Sequence, residues 1–197
     1  HPLLELLLED KLDLVTAISQ ISKSDQQNTL SYCFVRIFDG CGKILHLISH
    51  FISLEVDSTL QATTLFRNNT VATKIMTAYA KVAGSAFLKR ALGGLVKMIV
   101  TTELGIEIDD KKLEDPTQIE NNVEQLLSIT QKILDMIIEN QEMLPVTFRF
   151  ICQFLYTTVR DKFPEQGFFG VAGFMFLRFI CPAIVAPEAF GIIREKI

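Results

Sequence analysis

Apolar residues recur at three- and four-residue steps along almost the whole chain, the spacing that gathers side chains on one face of an α-helix. The longest series is Leu30, Phe34, Ile37, Phe38, Cys41, Leu45, Ile48 and Ile52. It predicts one long helix with Asn28 as its N-cap. Gly40 and Gly42 weaken that helix, so a kink or a close helix contact is expected there. Val71, Ile75, Ala78, Tyr79 and Val82 form a second stripe. After Gly84, a third runs through Phe87, Leu88, Ala91, Leu92, Leu95, Val96 and Ile99.

Between Thr101 and Thr117 the period fails. Gly105, Asp109, Asp110, Lys111, Lys112, Glu114 and Pro116 mark a solvated loop. The period returns with Val123, Leu126, Leu127, Thr130, Ile133, Leu134 and Ile137. Pro145 suits the first turn of the next helix, which carries Phe148, Ile151, Leu155 and Val159. Pro164 to Gly170 reads as a loop. The apolar run from Phe168 to Leu177, resuming after Arg178, reads as a helix buried on all sides. It is too short for a membrane span, and Pro182 and Pro187 end it. Neither strand alternation nor an internal repeat is apparent. The expected fold is all-α, a single multi-helix domain over residues 1–197.

Composition supports thick helix packing: 49% of residues are hydrophobic and mean hydropathy is +0.30. The net charge of -4 argues against a nucleic-acid partner bound through its phosphates. Cys33, Cys41, Cys152 and Cys181 form no CxxC pair and lie in apolar segments. They read as reduced, buried thiols of a cytoplasmic protein. No signal peptide is visible, because Pro2 precedes the apolar Leu3–Leu8 stretch and acidic residues follow it. The start at His1 and the stop at Ile197 suit a piece of a longer protein.

Familiar chemistry is sparse. No glycine-rich phosphate loop is present, so the chain is not expected to bind nucleotide by itself. His46 and His50 share the spacing of a two-histidine metal site. The segment between them lacks a catalytic glutamate, however, and no third ligand is evident. They read as helix histidines near the surface, with no metal. Two arginines remain. Arg67 precedes Asn68, Asn69 and Thr70, good turn and cap formers ahead of the stripe that starts at Val71. An exposed loop arginine is ordinarily just solvated. Leu65 and Phe66 beside it suggest instead a contact surface. Arg178 lies in an almost wholly apolar helix, where its donors need acceptors. An internal salt bridge or the carbonyls of a nearby loop would each serve.

The tracts around these arginines resemble the two arginine motifs of the Ras GTPase-activating domain, most nearly its neurofibromin type. Leu65-Phe66-Arg67-Asn68-Asn69 is similar to the family's finger loop, here residues 63–69, and Val71-Ala72-Thr73-Lys74-Ile75-Met76 to the helix after it. Phe176-Leu177-Arg178-Phe179-Ile180-Cys181-Pro182-Ala183-Ile184 is similar to the signature run, in a helix over 171–183. Leu144-Pro145 and the next helix also fit. The likeness covers roughly Leu4 to Ile193.

The resemblance implies an activator of Ras-family small GTPases in their GTP form. It is not a stand-alone hydrolase, and the partner binds the GTP and magnesium. Arg67 is implied as the arginine finger, its main-chain carbonyl holding the glutamine that positions water. Arg178 is implied to brace the finger loop. Leu177 is implied to touch the switch region, with Thr63, Thr64, Leu65, Phe66, Asn68 and Asn69 shaping the loop and groove. No cofactor of its own and no membrane insertion are implied; other domains of the parent protein would recruit it to a membrane surface. The family continues into a lysine- and asparagine-bearing segment that lines the partner groove. The chain ends before it, which implies a domain truncated at its C-terminal end. A Ras-GTP-binding scaffold without activation is the alternative, but relatives of that kind lack the arginine present here as Arg67. A helical interaction module with no GTPase partner is a third reading.

Overall fold

The computed structural model describes residues 1–102 and 104–193, and every regular element among them is helical. The first helices are α1 (Pro2–Leu7), α2 (Asp13–Ile21), α3 (Gln27–Gly40) and α4 (Ile44–Ser58). A 3-10 turn, Ala62–Thr64, leads into α5 (Val71–Ala83) and α6 (Ser85–Thr101). Then come α7 (Ile119–Glu139), α8 (Val146–Lys162) and α9 (Gly167–Ala172). A π-helical segment, Gly173–Ile180, continues α9 and passes into α10 (Cys181–Val185). The chain divides into two compact units. One is His1–Gly84 with Pro145–Pro182, and the other is Ser85–Leu144 with Ala183–Ile197.

The first unit is built around aromatic rings. Phe148 of α8 lies 5.3 Å from Phe174, 5.0 Å from Phe179 and 5.8 Å from Tyr79, measured between ring centroids. These rings are almost fully buried, along with Phe38, Leu47, Ile48, Ile52, Ile75 and Met76. Burying each such side chain contributes about 1.5–3 kcal/mol. The expected α8 stripe of Phe148, Ile151, Leu155 and Val159 is buried throughout. Pro145 is its N-cap rather than part of its first turn. In the second unit, α6 buries Phe87, Leu88, Ala91, Leu92, Leu95 and Val96. α7 buries only Asn122 and Ile129 fully, leaving Leu127 and Ile138 exposed. Asn122 donates to the Glu107 carbonyl at 2.8 Å and so pins the preceding irregular segment.

Several expectations change. The long helix expected around Leu30–Ile52 is two helices. Gly42 has φ 68°, the left-handed conformation that a side chain resists. The Lys43 N–H bonds the Phe38 carbonyl and the Gly42 N–H bonds that of Asp39, the paired bonds of a Schellman C-cap. Asn28 lies inside α3, and Gln26 occupies the N-cap. The stretch assigned to a loop at Gly167–Gly170 is already helix.

The helix read as buried on all sides is not. Gly167, Gly170, Gly173, Phe174, Phe179 and Ile180 face inward, while Phe168, Phe169, Phe176 and Leu177 are exposed. Its glycines let it lie close on α8: a Cβ on Gly170 would come within 2.9 Å of Val159. That contact commits one face and leaves the other outside. The helical run from Gly167 to Val185 is 19 residues long with mean hydropathy 2.0, long and apolar enough to cross a membrane by composition alone. It continues through Pro182, where the π-helical register gives way to α10.

The thiols are also less buried than expected. Cys33, Cys41 and Cys181 are exposed and Cys152 is half-buried, all unpaired. The inward face of α3 is taken by Ser31, Phe34, Val35 and Phe38, which leaves Cys33 outside. Burial pushes the Cys152 thiol up to about 11.

His50 accepts a different role from metal binding. Its Nε2 lies 2.8 Å from the Thr16 hydroxyl and ties α4 to α2. No cluster of three potential metal ligands occurs among the described residues. Burial holds the His50 pKa below 6.5; His46 adds to this and Asp13 opposes it. A depressed histidine pKa means the unfolded chain binds the proton more readily, so stability is full above about pH 6.5 and falls as pH drops below it. The urea midpoint of the wild type is expected to fall on acidification from about pH 7.5 to 5.5 by more than that of His50→Gln. Equal falls in both proteins would rule His50 out as the source.

Candidate functional site

The segment from Gln61 to Thr70 runs between α4 and α5 as a tight, heavily bonded loop. The Thr64 N–H bonds the Gln61 carbonyl at 3.0 Å, the Leu65 N–H bonds Ala62 at 3.1 Å, and the Arg67 N–H bonds Thr64 at 3.3 Å. The Thr64 hydroxyl also donates to Gln61. At the far end, Thr70 caps α5, its side chain accepting from the Thr73 N–H.

Phe66 is the pivot of this loop. Its φ is 55°, a left-handed value that a bulky residue rarely adopts. It is nonetheless completely buried, and Leu65 is 3% exposed. Gly173, at the start of the π-helical segment, makes room: a Cβ there would sit 3.3 Å from the Phe66 Cβ and 3.8 Å from the Leu65 carbonyl oxygen. The strained turn therefore points the Phe66 ring inward and leaves Arg67 exposed at the surface.

Arg178 holds the loop from the π-helical segment. Its Nε and Nη2 donate to the Phe66 carbonyl at 2.9 and 2.6 Å. Nη2 also donates to the Asn68 carbonyl at 2.9 Å, and Nη1 reaches Asn69 Oδ1 at 3.5 Å. Of the two acceptor types open to Arg178 in the sequence, the structure has the loop carbonyls. The side chain is half-buried, less than its apolar setting suggested. Burial draws its pKa down and the Glu55 carboxylate opposes this, but a guanidinium keeps its charge in such a setting.

The expected contact residues separate into two groups. Thr63, Thr64, Asn68 and Asn69 are exposed, and Leu177 is 46% exposed. Leu65 and Phe66 correct the expectation of an apolar contact surface, because the left-handed turn sends both into the core. A groove of about 460 Å³ lies beside the loop, between Asn69, α3, α5 and the Leu177–Arg178 edge. Lys74, Lys81 and Arg178 line it together with Asn28, Tyr32, Thr73 and Thr77, and no carboxylate does. A second depression, lined by Glu55, Ser58, Thr59, Gln61 and Thr64, borders the loop at Asn68.

Thr73, Lys74 and Gly173 escaped the sequence reading. Lys74 is 8% exposed and bonds the Ser24 carbonyl, the Ser24 hydroxyl and Gln27 Oε1, at 2.7 Å for the last. It thereby moors α5 to the start of α3. Its only signal was a lysine directly before the buried Ile75. Gly173 gave a fainter one, a glycine in an otherwise bulky run.

With this geometry established, the comparisons with known proteins are direct. Residues 47–118 and 111–197 match the family described as GTPase-activator protein for Ras-like GTPase. The chain is 33% identical over 99% of its length to the probable Ras GTPase-activating-like protein ngap of Dictyostelium discoideum, covering 22% of that protein. It is 32% identical over 98% of its length to human Ras GTPase-activating protein 1, covering 18% of it. Inhibitory regulator protein IRA2 of Saccharomyces cerevisiae matches 75% of the chain at 30% identity, and the match is 5% of that protein. The chain belongs to the Ras GTPase-activator family. It spans about a fifth or less of the length of these relatives.

Two substitutions test the loop's supports. Gly173→Ala is expected to lower stability by about 1 kcal/mol, the crowding of a fully packed Phe66 outweighing the helix propensity that alanine gains. Arg178→Lys is expected to lower stability by about 1–3 kcal/mol as well, since a point charge cannot replace a planar fork between carbonyls. Chemical denaturation measures both; wild-type stability in either variant would contradict the packing or the bonding described.

Proposed function

We propose that this chain activates GTP hydrolysis by a Ras-family GTPase, with Arg67 as an arginine finger supplied in trans. The observation that carries the reading is an exposed arginine on a loop whose flanking carbonyls are already held by Arg178. Such a loop presents a permanent positive charge at a set position without spending a partner's binding energy on ordering the backbone. Family membership supplies the class of partner.

In the complex, Arg67 enters the nucleotide site of the GTP-bound partner. Its guanidinium neutralises charge that develops on the transferring phosphoryl group and the leaving oxygen. The partner holds the nucleotide and magnesium, and this chain is an activator rather than a hydrolase. The Arg67 carbonyl accepts no hydrogen bond from any described residue. It is available to the partner's water-positioning glutamine. Asn69 and Leu177 border the cationic groove, a suitable seat for an acidic switch segment. Thr63 and Thr64 complete the exposed rim. The setting proposed is the cytoplasm.

The test is single-turnover GTP hydrolysis beside GTPase binding, for wild type and Arg67→Ala. Arg67→Ala is expected to lower stimulated hydrolysis by about a thousandfold, the scale of an arginine finger. Folding stability should change by no more than about 0.5 kcal/mol, because the side chain is exposed. Affinity for the GTP-bound partner should change little, since a finger acts on the transition state. Full activation by Arg67→Ala would exclude the finger. Binding of the GTP form without activation by either protein would favour a scaffold.

A further inference from the structure

We propose that Thr73 is a positioning residue for Arg67, its buried hydroxyl holding the Asn68 carbonyl together with Arg178. Thr73 lies in the first turn of α5 and is 1% exposed. Its Oγ1 is 2.9 Å from the Thr70 carbonyl oxygen and 2.9 Å from that of Asn68. The single hydroxyl proton is shared between these two acceptors; the Thr70 arm is the ordinary one for a helical threonine, made to a carbonyl one turn back. The second leaves the helix. It reaches five residues back to the Asn68–Asn69 peptide, one residue past Arg67, which a helix has no need to bind.

The same carbonyl accepts Arg178 Nη2, and the carbonyl before Arg67, that of Phe66, accepts Arg178 Nε and Nη2. Two pinned peptides, Phe66–Arg67 and Asn68–Asn69, thus bracket the Arg67–Asn68 pair. Among the described residues, Arg178 alone fixes the leading one. The trailing one is shared, and Thr73 is its link to α5, the rigid element on which the loop ends. Movement of that peptide passes through Asn68 to the Arg67 Cα and is enlarged along the arginine side chain, so the hydroxyl bears on where the guanidinium arrives. Sequence reading missed this because a threonine in an apolar helix stripe passes as a small core residue.

The inference rests on the reading of Arg67 as the finger, and the experiment separates the two. Thr73→Val keeps the shape and removes the hydroxyl; Thr73→Ser keeps the hydroxyl. Thr73→Val is expected to lower the stimulated single-turnover rate at saturating activator by about tenfold, with the dissociation constant of the GTP-bound partner within about twofold of wild type. Thr73→Ser should retain the wild-type rate. In an Arg67→Ala background Thr73→Val should have no further effect, because nothing remains to be positioned. Backbone 15N relaxation of the free chain should show greater motion at Arg67 and Asn68 in Thr73→Val, and wild-type values in Thr73→Ser.

Unchanged rate and unchanged relaxation in Thr73→Val would overturn the inference. So would equal losses in both variants, or a further loss in the Arg67→Ala background. If the wild-type chain fails to stimulate any Ras-family GTPase, the function proposed above falls. Relaxation at Arg67 and Asn68 then decides the role of Thr73 by itself.

Discussion

One guanidinium organises the surface on which function is proposed. Arg178 places its donors on the carbonyls of Phe66 and Asn68, more than a hundred residues earlier in the chain. A planar fork suits two carbonyls that converge, and its charge strengthens each bond. Backbone carbonyls in a loop ordinarily turn to water. Here two of them turn to the arginine, and the Arg67 and Asn68 side chains are left exposed.

That arrangement depends on packing beneath it. The loop descends onto the π-helical segment at Gly173, where no side chain intervenes, and Phe66 fills the space. A left-handed phenylalanine is unfavourable by about 1–3 kcal/mol, and such strain persists only where the surroundings over-determine it. Ring burial on one side and paired hydrogen bonds on the other do so here. The wider π-helical turn belongs to the same device, since Gly173 and Arg178 lie at opposite ends of it. Departures of this kind from regular helix occur often at functional sites.

Helical periodicity made α6 and α8 legible, because each buries a continuous apolar stripe; in α5 it found the helix but only Ile75 and Tyr79 of its buried face, which also holds Thr73 and Lys74. It failed where backbone conformation, not side-chain spacing, decides the structure. Gly42 breaks a stripe that continues in register across the break. Phe66 reverses direction through a single torsion that no pattern of neighbours reveals. The apolar run after Gly167 suggested burial all round because hydropathy counts residues and ignores which face they occupy. The resemblance to a known family drew attention to both arginines. The bonds between their two segments, the mooring of Lys74 and the second bond of Thr73 needed coordinates.

Phe66 also limits how the chain can vary. Glycine or asparagine would relieve the torsion at that position, but neither would fill the space over Gly173. Leucine or methionine would fill much of that space, but neither suits a left-handed backbone. Position 66 therefore faces two selections that favour different residues, and few single changes satisfy both. Drift in this loop should accumulate at its exposed polar positions while residues 66 and 173 change, if at all, as a pair.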